Sequence, residues 1–212
     1  MKAAIAGSRT SVERRPADQL DDEGMTVKGT AFLARRRSLE SSLGSDQVDA
    51  LLAELASRHA IFGGPILAST PVPVRDWIAF NDCLIDRFYA GVGRTYWRFG
   101  QESADFALSG PYKNLVRDRD AQAYERTVST AWQVYYSHGR AKGAWQGTVF
   151  HYCIDDVPVH HIYFEYTACG WVERGLELIG APVKRTVAIN GYSRGDTRVE
   201  YHFHCSKLPA PG

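Results

Sequence analysis

The chain has 212 residues, of which 44% are hydrophobic and 23% charged, and its 25 basic and 24 acidic side chains give a formal net charge of +1. This length and composition are typical of a single globular domain with its own core. The charges are spread along the sequence and form no basic stripe of the kind that neutralises phosphates, so nucleic acid is not expected as a partner. No apolar run approaches the roughly 20 residues of a membrane helix.

The ends of the chain and its cysteines indicate a soluble cytoplasmic protein. The apolar run that begins at Met1 ends by Ser8, which is too short for a signal peptide. Residues 1–24 contain few large apolar side chains and are predicted to be a disordered leader, residues 25–207 a single ligand-binding-like domain, and residues 208–212 a flexible tail. The four cysteines lack C-x-x-C spacing, which favours reduced, buried thiols: Cys83, Cys153, Cys169 and Cys205.

Helices dominate the first two thirds of the domain. The run Val27–Leu33 is β-prone and predicts a first strand or an extended segment. Apolar residues at steps of three and four, bounded by glycine, proline or a capping serine, then predict four helices. These helices span about residues 46–58, 74–91, 94–108 and 120–137.

The C-terminal third changes to a period of two. The segment Gly143–Ile154 is lined with apolar residues on both faces and predicts one long strand. A helix over about 162–179 follows, and strands at 183–189 and 197–205 flank a turn that contains glycine and asparagine. We therefore predict an α+β fold in which N-terminal helices pack on an antiparallel sheet of about four strands. The sheet comes mainly from the C-terminal third, with one helix inserted between its strands.

Short motifs resemble a known family. The segment Phe99–Tyr112, with the pattern G-x-x-S-A-x-x-A-x-x-G-x-Y, resembles a helix of a myxobacterial family of unknown function. Val27–Thr30, Trp132–Tyr136 and Arg194–Asp196 are similar to other parts of that family. The family looks related to the 4-vinyl reductase domain and, more remotely, to haem nitric-oxide-binding domains and TRAPP vesicle-tethering subunits. The resemblance covers roughly residues 25–207 and implies a small molecule held between helices and sheet.

Two departures from these relatives bear on cofactors. Many 4-vinyl reductase domains bind zinc through cysteines around a Gly-Asp turn, but Gly191 and Val199 stand at the matching positions here. The haem-binding relatives carry a Y-x-S-x-R motif for the haem carboxylates, whereas Tyr135–Arg140 places the arginine one residue late. The sequence therefore predicts no cofactor, with zinc and haem both disfavoured.

An aromatic-rich zone supplies the candidate ligand-binding residues. Such side chains form the surfaces that bind apolar or aromatic ligands, although aromatics at helical spacing also suit an ordinary core. A mid-strand histidine is either a ligand to a bound molecule or a core side chain with its hydrogen bonds satisfied. The candidates are Trp132, Tyr135, Tyr136, Trp145, His151, Tyr163, Tyr166 and Trp171.

A metal site is the weaker candidate. Glu200, His202 and His204 lie on one face of the last predicted strand, and their nitrogen and oxygen atoms suit a divalent metal. The alternative is a solvated outer face, which the apolar residues between them favour. No metal is therefore predicted.

The leading functional hypothesis is a non-catalytic sensory or regulatory domain. It would hold a small apolar or aromatic molecule between helices and sheet and change a surface that a partner protein reads. The alternative is an oligomeric protein-interaction scaffold, with a homodimer as one form, whose core is filled by side chains. An enzyme ranks third, because no nucleophile motif or paired-carboxylate pattern stands out.

Overall fold

A computed structural model of the chain describes residues 23–110 and 112–208. Most of the predicted leader and of the predicted tail lies outside the described residues. Within these ranges, no helix is both long enough and apolar enough to cross a membrane. The elements in chain order are β1 (Thr26–Lys28), α1 (Gly29–Leu43), α2 (Ser45–Ala56), β2 (Pro71–Pro73), α3 (Val74–Phe88), α4 (Thr95–Ser109), α5 (Lys113–Asp118), α6 (Ala121–Tyr135), β3 (Arg140–Gln146), β4 (Val149–Asp155), α7 (Ile162–Leu178), β5 (Val183–Asn190) and β6 (Val199–Cys205).

The main sheet has four antiparallel strands in the order β3-β4-β6-β5. Its inward residues pair across the two central strands, with Phe150 opposite Phe203 and Tyr152 opposite Tyr201. These side chains are buried, and the rings of Tyr124 from α6 and Phe150 are 5.7 Å apart. The α+β prediction is confirmed, including the helix α7 between β4 and β5.

The single strand predicted over Gly143–Ile154 is wrong. The chain reverses at Gly147, whose φ of +57° suits glycine, and the segment forms the hairpin of β3 and β4. Trp145 pairs with Phe150 across this hairpin. The inward-facing residues have odd numbers in β3 and even numbers in β4. Because the segment carries apolar residues at both sets of positions, this change was not visible in the sequence pattern.

The extended segment predicted at Val27–Leu33 is only partly correct, because the strand ends at Lys28 and α1 begins at Gly29. The buried positions of α1 include Phe32, Arg35 and Leu39, which lie at helical steps of three and four. An arginine in the middle of this stripe breaks its apolar pattern. The helix was therefore missed from the sequence.

The strand β1 joins the start of α1 to the end of α6. It pairs with β2, and Val27 also forms a bridge with Tyr136. The Thr26 N–H donates to the Ser137 hydroxyl at 2.8 Å, and the Ser137 N–H donates to the Thr26 carbonyl at 3.1 Å. The N-terminal end of α1 is therefore held against the C-terminal end of α6.

Helices α4 and α7 cross in backbone contact. A Cβ atom at Gly100 would lie 2.0 Å from the Thr167 carbonyl oxygen, and one at Gly170 would lie 2.1 Å from the Trp97 carbonyl oxygen. Only glycine permits this approach. The crossing places α4 and α7 side by side on the helical side of the sheet.

Candidate functional site

A cavity of about 560 Å³ lies among α1, α4, α6 and α7. We call it the inter-helix pocket, and Tyr152 of β4 and Trp77 of α3 complete it. Its volume lies within the roughly 300–1,000 Å³ of small-molecule sites. The lining residues are Thr30, Ala31, Ala34, Arg35, Arg37, Ser38, Ser41, Trp77, Gly100, Glu102, Ser103, Phe106, Val128, Ala131, Trp132, Tyr135, Tyr136, Tyr152, Tyr163, Thr167, Ala168, Trp171 and Val172.

Small side chains leave this space open. Ala31 and Ala34 on α1, Ala131 on α6 and Ala168 on α7 all line the inter-helix pocket. Large rings surround them, with the centroids of Trp132 and Tyr136 4.4 Å apart. The combination gives a ring-lined space that the protein's own side chains do not fill.

A buried arginine lies at this pocket. Arg35 is 7% exposed, and its Nη2 donates to the Phe99 carbonyl at a long 3.4 Å. Its Nη1 is 3.7 Å from Glu102 Oε2, and its Cζ lies 4.0 Å from the centre of the Phe99 ring. Its Nε has no hydrogen-bond partner among the described residues. Because a guanidinium carries five N–H donors, most of its hydrogen-bonding capacity is unused.

Neutral phenols line the inter-helix pocket, and those of Tyr136 and Tyr163 lie near the arginine. Burial raises the pKa of Tyr163, and the nearby charge of Arg35 opposes that rise. Burial also raises the pKa values of Tyr136 and Tyr152 well above the ordinary tyrosine value. These hydroxyl groups stay protonated at neutral pH and can donate hydrogen bonds. The Trp77 N–H lies near the Tyr163 hydroxyl but makes no hydrogen bond of normal geometry among the described residues.

The structure brings five of the eight predicted ligand-binding residues to the inter-helix pocket: Trp132, Tyr135, Tyr136, Tyr163 and Trp171. Their aromatic character and the position of their helices were visible in the sequence. Whether these side chains bind a ligand stays a prediction.

The other three predicted residues lie elsewhere. Trp145 packs on Phe150 with ring centres 5.0 Å apart, and its indole N–H donates to the Ala121 carbonyl. His151 lies on the outer face of the sheet, because Phe150 and Tyr152 on either side of it point inward. Tyr166 faces the start of α4, where its ring lies 6.2 Å from that of Trp97.

The sequence reasoning missed the polar part of the site. Arg35 and Arg37 come from α1, which had not been predicted, and Glu102 and Ser103 come from the pocket side of α4. One signal was available for Arg35, since an arginine at helical spacing between Phe32 and Leu39 lies on a core-facing stripe.

The candidate metal residues lie on the outer face of the sheet. His202 Nε2 is 3.3 Å from Glu200 Oε1, and the rings of His202 and His151 are 4.0 Å apart. Burial is the main cause that lowers the pKa of His151, and the charge of His202 adds to it. Among the residues that the structure describes, no three histidine, cysteine, aspartate or glutamate side chains form a group able to hold a metal ion.

Solved structures of H-NOX domains share this fold. An H-NOX protein from S. oneidensis in the Fe(II) ligation state, a triple-alanine variant, has a TM-score of 0.65 and 12% identity over 87% of this chain and 99% of its own. The unliganded Fe(II) H-NOX protein from K. algicida has a TM-score of 0.64 and 9% identity, covering 85% and 97%. An oxygen-binding H-NOX domain related to soluble guanylate cyclases, in its oxygen complex, has a TM-score of 0.64 and 12% identity, covering 87% and 98%.

The likeness to H-NOX domains is one of fold. It agrees with the distant similarity to haem nitric-oxide-binding domains that the sequence motifs implied. No family model matches the chain, and no curated protein matches it.

The prediction of no cofactor, with haem disfavoured, is contradicted by the solved structures that share this fold. The structures that share this fold include Fe(II) H-NOX proteins and one that concerns haem distortion in the H-NOX family. The sequence argument relied on the position of Arg140, which is exposed, begins β3 and pairs with Asp156. The arginines at the inter-helix pocket are instead Arg35 and Arg37, so the late arginine of the motif does not remove positive charge from the site.

The lining of the inter-helix pocket meets part of what haem requires. Haem needs a flat apolar space, partners for its carboxylates and an axial ligand for its iron. The ring-lined cavity and the two arginines meet the first two needs. For the iron, the described lining residues include no histidine, cysteine or methionine, but they include four tyrosines, and tyrosine is an established haem ligand. The site therefore fits the ring and the acids of haem. A tyrosine would bind the iron only as the phenolate, which burial of these side chains disfavours.

Proposed function

We propose that this protein is a non-catalytic sensory domain that binds haem, or a flat carboxylate-bearing molecule of the same class, in the inter-helix pocket. The observation that carries the proposal is a ring-lined cavity of about 560 Å³ with an incompletely paired arginine buried beside it. The fold shared with Fe(II) H-NOX proteins supports haem as the first ligand to test.

Particular residues would hold such a ligand. The rings of Trp132 and Tyr136 offer flat apolar contact, and Arg35 and Arg37 offer charge for carboxylates. Haem iron, when bound, supplies a coordination position for a diatomic gas. Tyr135, a partly buried lining residue, would have to lose its proton to bind the iron, and burial raises its pKa, so the iron site is the weakest part of the fit. The protein's own part is to bind the ring, neutralise its acids and limit its contact with water.

We further propose how a partner protein detects whether the inter-helix pocket holds a ligand. A partner protein, or a second copy of the chain in a homodimer, would respond to a change in the helices around the inter-helix pocket, in a cytoplasmic setting. We also propose that the chain is distantly related to the 4-vinyl reductase domain and to the myxobacterial family. The alternative scaffold required a core filled by side chains, and the cavity among α1, α4, α6 and α7 argues against it.

A haemin titration tests the proposal. The purified protein is titrated while the Soret absorbance and the thermal unfolding temperature are recorded, and we expect a saturable shift near one haem per chain with stabilisation of the fold. Ala34→Trp, which places a large ring in the inter-helix pocket, should weaken binding at least about tenfold. Ala53→Trp, on the exposed side of α2, is the matched control and should bind as the wild type does.

Two results would contradict the proposal. One is the absence of any saturable absorbance change or thermal shift with haemin. The other is equal binding by the Ala34→Trp and Ala53→Trp variants, because haemin would then be bound outside the inter-helix pocket.

A further inference from the structure

The surroundings of Arg35 show how incompletely it is paired. From α4 it meets the ring and carbonyl of Phe99 and the carboxylate of Glu102. The charge of Arg35 acts on the phenols of Tyr136 and Tyr163 from α6 and α7, and burial keeps both phenols neutral. Among the described residues, Glu102 is therefore the acidic side chain that forms an ion pair with Arg35.

The ion pair with Glu102 is weak by its geometry. Its N···O distance is 3.7 Å, whereas a charge-assisted hydrogen bond is about 2.7–2.9 Å long. The Glu102 side chain is 43% exposed, and its other oxygen lies 3.4 Å from Arg98. Water and Arg98 therefore both compete with Arg35 for this carboxylate.

A purely structural role does not explain this arrangement. A buried charge is costly unless it is paired and hydrogen-bonded, and replacing such a group with an apolar side chain of similar size is often neutral or stabilising. The contact with the Phe99 ring offsets part of the cost. The Nε donor still lacks a partner, at a residue that lines a cavity.

Resting on the proposed function, we infer that Arg35 is the anchor for a carboxylate of the ligand in the inter-helix pocket. The carboxylate takes up the unused guanidinium donors, and Glu102 is left paired with Arg98. The indole N–H of Trp77, which also lines this pocket, is a second donor that makes no hydrogen bond of normal geometry among the described residues. The site therefore selects flat apolar molecules that carry an acid over neutral molecules of the same shape.

Two metal-free probes that differ only in charge test this selection. Protoporphyrin IX carries two carboxylates, and its dimethyl ester has the same ring without them. Binding of each is followed by fluorescence in the same low concentration of co-solvent. We expect the wild type to bind the acid at least about tenfold more tightly than the ester, because only the acid can pair with Arg35.

Variants of neighbouring arginines locate the effect. Arg35→Met keeps the length of the side chain and removes its charge, so we expect the preference for the acid to fall to the small part that the exposed Arg37 can supply, while the ester binds as before. Arg36→Met is the matched control, since Arg36 pairs with Glu40 and Asp49 and does not line the inter-helix pocket. It should keep the full preference.

The outcomes separate the two proposals. Equal binding of acid and ester by the wild type would overturn the role of Arg35 while leaving a ring-binding pocket. Binding of neither probe would overturn the proposed function and this inference together. The free Arg35→Met protein should unfold at the wild-type temperature or above, and a marked fall would show that Arg35 is structural.

Discussion

Two groups of helix contacts in this molecule use small side chains with opposite results. At the crossing of α4 and α7, Gly100 and Gly170 bring the two backbones into contact. Around the inter-helix pocket, Ala34 and Ala131 line a space that no side chain fills. Small residues thus make a tight interface where backbones approach, and a cavity where the helices are held apart. The position of a small residue in the fold, rather than its type, decides which result follows.

The largest effect is expected where the backbones touch. Gly170→Ala would normally favour a helix by about 1 kcal/mol, but here the new methyl group would lie 2.1 Å from a backbone oxygen. We expect a net loss of about 3 kcal/mol in the free energy of unfolding, measured by urea denaturation. Gly64→Ala, at an extended position with nothing within 4 Å, should have little effect. Equal stability of the two variants would show that α4 and α7 do not pack as described.

A smaller effect of opposite sign is expected at the cavity. Ala131→Leu adds apolar atoms where the space is empty, so the free protein should gain about 0.5–1 kcal/mol in the free energy of unfolding. The same variant should lose affinity for haemin in the titration described above. A loss of stability of more than about 1 kcal/mol would indicate that α1 and α6 already pack closely.

The smallest effect concerns the sheet face that carries no helix. The pKa of folded His151 lies below its ordinary value, so the unfolded chain binds the proton more readily. Stability should therefore fall as pH decreases from the ordinary histidine pKa of about 6.5 towards the lower folded value. His151→Gln should unfold at temperatures that depend less on pH between about 7.5 and 5. Identical pH profiles of the two proteins would contradict this assignment.

The helices and strands with one clear apolar period could be predicted from the sequence. Helices α3, α6 and α7 and strand β6 lie where that pattern predicted them, within a few residues. Helix α1 could not be found, because Arg35 occupies a buried position between apolar residues. A charged side chain at a core-facing position lowers any score for an amphipathic helix. The feature that hid the helix is the one on which the proposed site depends.

The aromatic residues of the candidate site could be predicted from the sequence, but the directions in which their side chains point could not. The period of two in β4 allowed either Phe150 and Tyr152 or His151 to face the helices, and pairing with Phe203 and Tyr201 of β6 decided it. On α7, Tyr163 and Tyr166 are one turn apart, yet only Tyr163 lines the inter-helix pocket. The direction of each ring depends on contacts between distant segments, which a local pattern does not contain.

The bridge between Val27 and Tyr136 limits how the molecule can change shape. Helices α1 and α6 both leave this junction, and the hydrogen bonds between Thr26 and Ser137 fasten them to each other there. Any change in the angle between the two helices must therefore pivot at this end and grow with distance along α1. The displacement would be greatest near Leu43, where the chain passes into α2. If the two helices opened, α2 would therefore be displaced further than any part of α1, and the buried face of α2 and its ion pair from Glu54 to Arg87 would have to give way.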